Sequence, residues 1–103
     1  MIRVGILGTG NIGTDLLIKS LREERLEVVA FVGRRFNSSG MLIAKDKGIN
    51  CSDQGIDFFI NNPKYCDIVY DCTNSSDAVD HSKVFESQKI KVIDLTPSKV
   101  GPF

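Results

Sequence analysis

The sequence has no excess of either charge, no paired cysteines and no long apolar run, and each lack narrows what the chain can be. Thirteen basic residues balance thirteen acidic ones. A nucleic-acid binder carries a basic excess toward the phosphate backbone, so the balance argues against such a partner. The longest uninterrupted apolar stretch, residues 28–32, is far short of the ~20 residues that cross a bilayer, and no membrane partner is expected. The apolar start is broken at once by Gly8-Thr9-Gly10-Asn11, which does not read as a signal peptide. Three cysteines, none in a Cys-x-x-Cys pair, exclude a disulfide scaffold and fit a reducing cytoplasm. With a single histidine beside them, they make a weak case for zinc. Repeats, low-complexity tracts and Pro/Gly/Ser linkers are also missing, and 103 residues make one domain rather than two.

What the chain does contain is an alternation of strand and helix patterns. Ile2, Val4 and Ile6 alternate over residues 1–7, a β-branched run that ends in glycines and predicts a strand. Ile12, Leu16, Leu17 and Leu21 recur at helical spacing and predict a helix over 11–24. Residues 26–33 form a near-continuous apolar run, as in a strand buried on both faces. A short helix is expected over 38–47, ended by Gly48. After a short strand, a helix capped at Ser52 or Asp53 should run through Asn61, with Pro63 preventing its continuation. Residues 67–72 read as a buried strand. The helix after it should be capped by Ser75 or Ser76, with Ala78, Ser82 and Phe85 on one stripe, and a last strand is expected over 89–95. Helical crossovers between apolar strands imply a parallel sheet covered on both faces. The expected fold is therefore a Rossmann-type, doubly wound α/β domain of three αβα layers, which binds ligands beyond the carboxyl ends of its strands. The Pro- and Gly-containing end, residues 96–103, follows the fifth main strand, and a full dinucleotide-binding sheet has a sixth. The expectation is a domain cut from a longer enzyme.

The strongest chemical signal is Gly8-Thr9-Gly10-Asn11-Ile12-Gly13. It follows an apolar strand and opens an amphipathic helix, the context that a dinucleotide fingerprint requires. Gly8 would allow the tight turn, Gly10 the approach of a pyrophosphate to the backbone, and Gly13 close helix packing. The helix N-terminus offers free N–H groups to the phosphates. Arg34 and Arg35 fall 21 and 22 residues after Gly13, where NAD-binding domains often carry a carboxylate for the adenosine ribose. Two arginines there suit a ribose 2′-phosphate, with Ser38 and Ser39 as added hydroxyl donors, or else form a solvated surface pair. Both NAD and NADP thus stand as cofactors. Thr73, within Cys72-Thr73-Asn74-Ser75-Ser76, should lie at the same sheet edge, near the nicotinamide half. Cys72 reads as a buried inert thiol rather than a nucleophile, because no base is placed beside it by the sequence. His81 reads as a solvated helix residue. Asp94 is either a turn-capping group or a carboxylate with no partner to make it catalytic.

Several of these segments carry a resemblance. Residues 8–16 (Gly-Thr-Gly-Asn-Ile-Gly-Thr-Asp-Leu), Val32-Gly33-Arg34-Arg35, Asp67-Ile68-Val69-Tyr70-Asp71-Cys72-Thr73, Val92-Ile93-Asp94-Leu95-Thr96-Pro97 and Gly101-Pro102-Phe103 together resemble the N-terminal region of acylating acetaldehyde dehydrogenases. The resemblance covers essentially the whole chain. It implies a dinucleotide-binding domain followed by a catalytic and dimerisation domain. It implies oxidation of acetaldehyde with NAD and coenzyme A to acetyl-CoA, with 4-hydroxy-2-oxovalerate aldolase as a partner that delivers the aldehyde. It further implies that Thr9, Gly10, Asn11 and Ile12 contact the cofactor. It supplies no catalytic residue here, since the family's thioester-forming cysteine lies beyond residue 103. Cys72 stands where the family commonly has a small residue, and Arg35 where it often has Asp, which puts strict NAD preference in doubt. Rival readings are a stand-alone dinucleotide sensor and the cofactor domain of another semialdehyde dehydrogenase, because one fold hosts many functions.

Overall fold

The structure, a computed structural model, describes residues 1–34 and 38–95, with Ser75 and Ser76 described by backbone alone. Expectations for Arg35 and for the segment from Thr96 onward lie outside the described residues. The element order is β1 (Ile2–Leu7), α1 (Asn11–Leu21), β2 (Leu26–Val32), α2 (Ser39–Asp46), β3 (Asn50–Ser52), α3 (Ile56–Asn61), β4 (Ile68–Asp71), α4 (Ser75–Ser87) and β5 (Val92–Asp94). The strands form one sheet in the order β3-β2-β1-β4-β5, and every pairing is parallel. This is the doubly wound arrangement. The chain turns back between β1 and β4, and a crevice opens at the strands' carboxyl ends at such a switch point.

Each face of the sheet has its own core. Leu17 of α1 and Met41 and Ala44 of α2 pack with Val4, Ile6, Val28 and Phe31. Phe58 and Phe59 of α3 and Phe85 of α4 pack with Leu7, Ala30, Val32 and Val69 on the opposite face. Strict alternation along β2 would put Val28 and Ala30 on the same side. Instead the register shifts so that Val4 pairs with Val28 but Gly5 with Ala30, leaving Val29 as the extra residue of a bulge. The bulge sends Val28 and Phe31 to one core and Ala30 and Val32 to the other.

Several boundaries and faces differ from expectation, each for a local reason. Helix α1 stops at Leu21, because the Glu23 and Leu26 amides turn back to the Ser20 and Glu23 carbonyls and deliver the chain to β2. Its buried face is Gly13, Leu17 and Ser20, while Ile12 and Leu21 are exposed. Gly13 is buried where the helix start closes on the turn after β1. Helix α3 begins at Ile56 and not at Ser52 or Asp53. Ser52 ends β3, its hydroxyl oxygen accepts from the Gln54 amide, and Gly55 holds the cap position at φ +59°. Helix α4 is capped by Asn74 rather than Ser75 or Ser76, the Asn74 side-chain oxygen accepting from the Asp77 amide at 2.8 Å. The α4 stripe is Ala78, His81 and Phe85, so His81 is buried and Ser82 is exposed. At its end the Lys89 and Ile90 amides return to the Glu86 and Phe85 carbonyls, with Lys89 at φ +59°. That reverse turn consumes residues expected in β5, which is only three residues long. No described helix is long and apolar enough to cross a membrane.

Candidate functional site

A cleft of about 330 Å³ opens at the switch point. One wall is the turn after β1, with Gly8, Thr9 and Gly10. A second is the end of β2 and the start of α3, with Gly33, Arg34, Gly55 and Ile56. The third is the segment after β4, with Cys72, Thr73 and Asn74, continuing into α4 at Asp77 and His81.

The three glycines of the fingerprint are not equivalent. Gly8 sits at φ +109°, and a Cβ there would come within 2.8 Å of the Cys72 carbonyl group. A Cβ on Gly13 would overlap the Gly8 carbonyl oxygen. Both glycines are demanded by the fold, Gly8 by the turn and Gly13 by the helix closing on that turn. Gly10 is different. Its backbone is extended (φ −77°, ψ −160°), which any residue adopts, and a Cβ there would meet nothing within 4 Å among the described residues. Gly10 is also the N-cap of α1, which has no side-chain cap and no acidic residue in its first turn. By contrast, the hydroxyl oxygen of Ser38 caps α2 and Asn74 caps α4. The amides of the first turn of α1 therefore remain unsatisfied by helix geometry and carry the positive end of its dipole.

Across the cleft, the Arg34 guanidinium lies 3.8 Å from the Asp77 carboxylate. Asp77 is also tied to its own cap, accepting from the Asn74 side-chain amide at 2.9 Å. Below them lies a buried polar cluster. Asp71, the last residue of β4, is 1% exposed. One of its oxygens accepts from the Thr73 amide at 3.0 Å and from the Thr73 hydroxyl. The other meets His81 Nδ1 at 2.9 Å. Burial pushes the Asp71 carboxyl up, but the hydrogen bonds from His81 and Thr73 outweigh it and hold it below the ordinary carboxylate value. Cys72 has the opposite fate: burial first, then the charges of Asp71 and Asp94, push its thiol up to about 12. Cys66 is pushed up to about 11, chiefly by burial, and Cys51 is raised for the same reason.

Of the residues expected at the site, Gly8, Thr9, Gly10, Arg34 and Thr73 line the cleft together. Asn11 and Ile12 open α1 just beyond it with their side chains exposed, and Gly13 lies behind the turn. Ser38 is occupied in capping α2. Arg35 lies outside the described residues. Asp71, Asp77 and His81 were not anticipated at the cleft. The expected solvated histidine is a buried one paired with a carboxylate. The available signal was an acidic residue ending an apolar strand, with a histidine three residues after Ala78 and four before Phe85.

A glycine turn feeding an uncapped helix at the switch point of a parallel sheet defines a dinucleotide-binding domain of the doubly wound class. Comparison with known proteins makes this particular. Residues 3–99 match the family described as semialdehyde dehydrogenase, NAD binding domain, and the chain belongs to that family. It is 48% identical over 102 residues to acetaldehyde dehydrogenase of Pectobacterium atrosepticum, covering 99% of this chain and 34% of that protein. It is 50% identical over 100 residues to acetaldehyde dehydrogenase of Spirochaeta aurantia, covering 97% and 34%. The resemblance seen in the motifs thus holds along the chain, which spans about a third of the length of these relatives. Among solved structures, aspartate semialdehyde dehydrogenase with NADP from Candida albicans is similar (TM-score 0.66, 18% identity, 95% of this chain and 30% of that one). So is scyllo-inositol dehydrogenase from Lactobacillus casei with bound NAD(H) and scyllo-inositol (TM-score 0.72, 15% identity, 91% and 27%). At these identities the likeness is one of fold.

Proposed function

We propose that this chain is the cofactor-binding part of an acylating acetaldehyde dehydrogenase and holds NAD or NADP in the switch-point cleft. The observation that carries the site assignment is Gly10. Neither its backbone angles nor its packing demands glycine, so the missing side chain serves something that approaches from outside the protein. A pyrophosphate set against the unsatisfied amides of α1 fits that requirement. Gly8, Thr9, Gly10, Asn11, Ile12 and Gly13 form the phosphate turn in this reading. Arg34, with Ser38, would meet the adenosine ribose, Arg35 would join them by its place in the sequence, and Thr73 would meet the nicotinamide half. When bound, the dinucleotide supplies a hydride acceptor; the chain's part is to bind and orient it.

The reading extends to the whole protein through the relatives' shared name, acetaldehyde dehydrogenase. The reaction would be oxidation of acetaldehyde with coenzyme A as co-substrate, in the cytoplasm, with 4-hydroxy-2-oxovalerate aldolase as partner. The nucleophile would come from outside these residues, since the Cys72 thiol is buried and held protonated. Calorimetry with NAD and NADP on the wild type and on Gly10→Val tests the site. Binding by the wild type and its loss in a variant with an unchanged melting temperature is the expected result. Equal binding by both would remove the pyrophosphate from this turn.

A further inference from the structure

We infer that His81 is a dinucleotide-binding residue, its Nε2 offered to the nicotinamide-riboside half of the cofactor, with Asp71 as the positioning residue behind it. The inference rests on the cofactor reading above and adds a residue that the glycine fingerprint does not reach. His81 lines the cleft although its side chain is only 11% exposed. Its Nδ1 is engaged by Asp71 at 2.9 Å. Among the described residues, no buried side-chain nitrogen or oxygen lacks a hydrogen-bond partner. Among the described residues the ring's hydrogen bond is made at Nδ1, so Nε2 is the nitrogen left for the cleft that His81 lines.

The Asp71 carboxylate fixes what Nε2 can do. Held ionised, it accepts the hydrogen bond from the Nδ1 proton, which leaves Nε2 as the ring nitrogen turned to a ligand. The ring also makes an edge contact with Phe85, one turn further along α4. The same carboxylate, through its second oxygen, ties down the Thr73 amide and hydroxyl at the cleft wall. One buried group therefore sets both a wall and a binding atom.

Position selects which half of the ligand arrives there. With the pyrophosphate at α1 and the adenosine toward the end of β2, the other nucleotide crosses the switch point toward β4 and α4. Its ribose hydroxyls can donate to or accept from Nε2, and its carboxamide offers both N–H groups and a carbonyl oxygen.

His81 is the chain's only histidine, so its ring signals are assigned by inspection in a tag-free sample. The test titrates the 15N-labelled chain with NADH and, separately, with ADP, which has the adenosine and both phosphates but no nicotinamide riboside. NADH should shift the Nε2 resonance, and ADP should leave it in place. His81→Asn supplies the second arm. Its side-chain amide can keep the bond to Asp71 but has nothing at the Nε2 position. It should weaken NADH binding about three- to tenfold and leave ADP binding unchanged. NADH binding with an undisturbed ring, or with equal affinity in a folded His81→Asn, overturns the inference alone. No NADH binding by the wild type overturns the cofactor reading and this inference with it.

Discussion

Arg34 and Asp77 face each other across the mouth of the cleft, one at the end of β2 and the other in the first turn of α4, with 3.8 Å between guanidinium and carboxylate. A 2′-phosphate on the adenosine ribose would compete with Asp77 for the same guanidinium. Arg34 is 78% exposed, so the pair is worth at most about 1 kcal/mol. Asp77→Asn removes the competing charge and leaves an oxygen to accept from the Asn74 amide. The ratio of NADP to NAD affinity should rise about two- to fivefold in this variant. The gain should shrink in high salt, which screens exposed charges. Calorimetry at two salt concentrations reads both effects. A ratio that does not move would mean that Arg34 does not meet the 2′ position.

A second prediction concerns stability away from the cleft. Lys89 closes α4 in a left-handed conformation at φ +59°, which disfavours any residue with a Cβ. The Lys89 and Ile90 amides bond to the Glu86 and Phe85 carbonyls there, a pattern in which glycine is the usual residue. Lys89→Gly should therefore stabilise the chain by about 0.5–1 kcal/mol, after allowing for glycine's greater freedom when unfolded. Chemical denaturation would show a higher midpoint at unchanged slope. A lower midpoint would mean that the Lys89 side chain contributes more than its backbone strain costs.

Lys89 marks where sequence reasoning stopped. The strand–helix alternation and the glycine turn were legible because each is written in local chemistry: β-branched runs, helical spacing, and glycines at fixed offsets. The end of α4 was not, because a lysine stands where glycine would have marked the turn. The bulge at Val29 was hidden inside a run apolar at every position, which has no period to read. The buried stripe of α4 was ambiguous because residues three and four after Ala78 both lie near its face. Helical spacing alone admits either His81 or Ser82 there. The Asp71 carboxylate that holds His81 inside lies ten residues earlier, on another element, and the pair exists only in the folded chain.

That pair makes stability depend on acid. The Asp71 carboxyl titrates below its ordinary value in the folded chain, so protonation favours the unfolded state. Its contribution is fully present above about pH 4, the ordinary carboxylate value, and is lost as pH falls through the lowered folded value. Asp71→Asn should cost about 2 kcal/mol at neutral pH, since it leaves His81 and Thr73 facing a poorer, uncharged acceptor. The penalty should narrow steadily below pH 4. Denaturant midpoints measured from pH 3 to 7 on both proteins give the difference directly. A penalty independent of pH would mean that the Asp71 charge does not stabilise the fold.

The chemistry of Cys72 gives the last prediction. It sits at the cleft, next to the residues proposed to hold the cofactor, which is where a nucleophile would be most tempting to assign. The structure surrounds it with the wrong environment. The side chain is buried, and the nearby charges of Asp71 and Asp94 are negative, so both desolvation and electrostatics oppose the thiolate. The imidazole in the cleft is engaged with Asp71 rather than with this thiol. With the thiol pushed up to about 12, only about one molecule in ten thousand carries a thiolate at pH 8. Cys51, half-buried and less perturbed, should react first with iodoacetamide at that pH, and Cys72 last, as read by peptide mass mapping. The chain supplied with acetaldehyde, coenzyme A and NAD should form no NADH through this residue, and Cys72→Ser should bind dinucleotide as the wild type does. Turnover by the chain that disappears in Cys72→Ser would reverse the assignment and make the buried thiol the nucleophile.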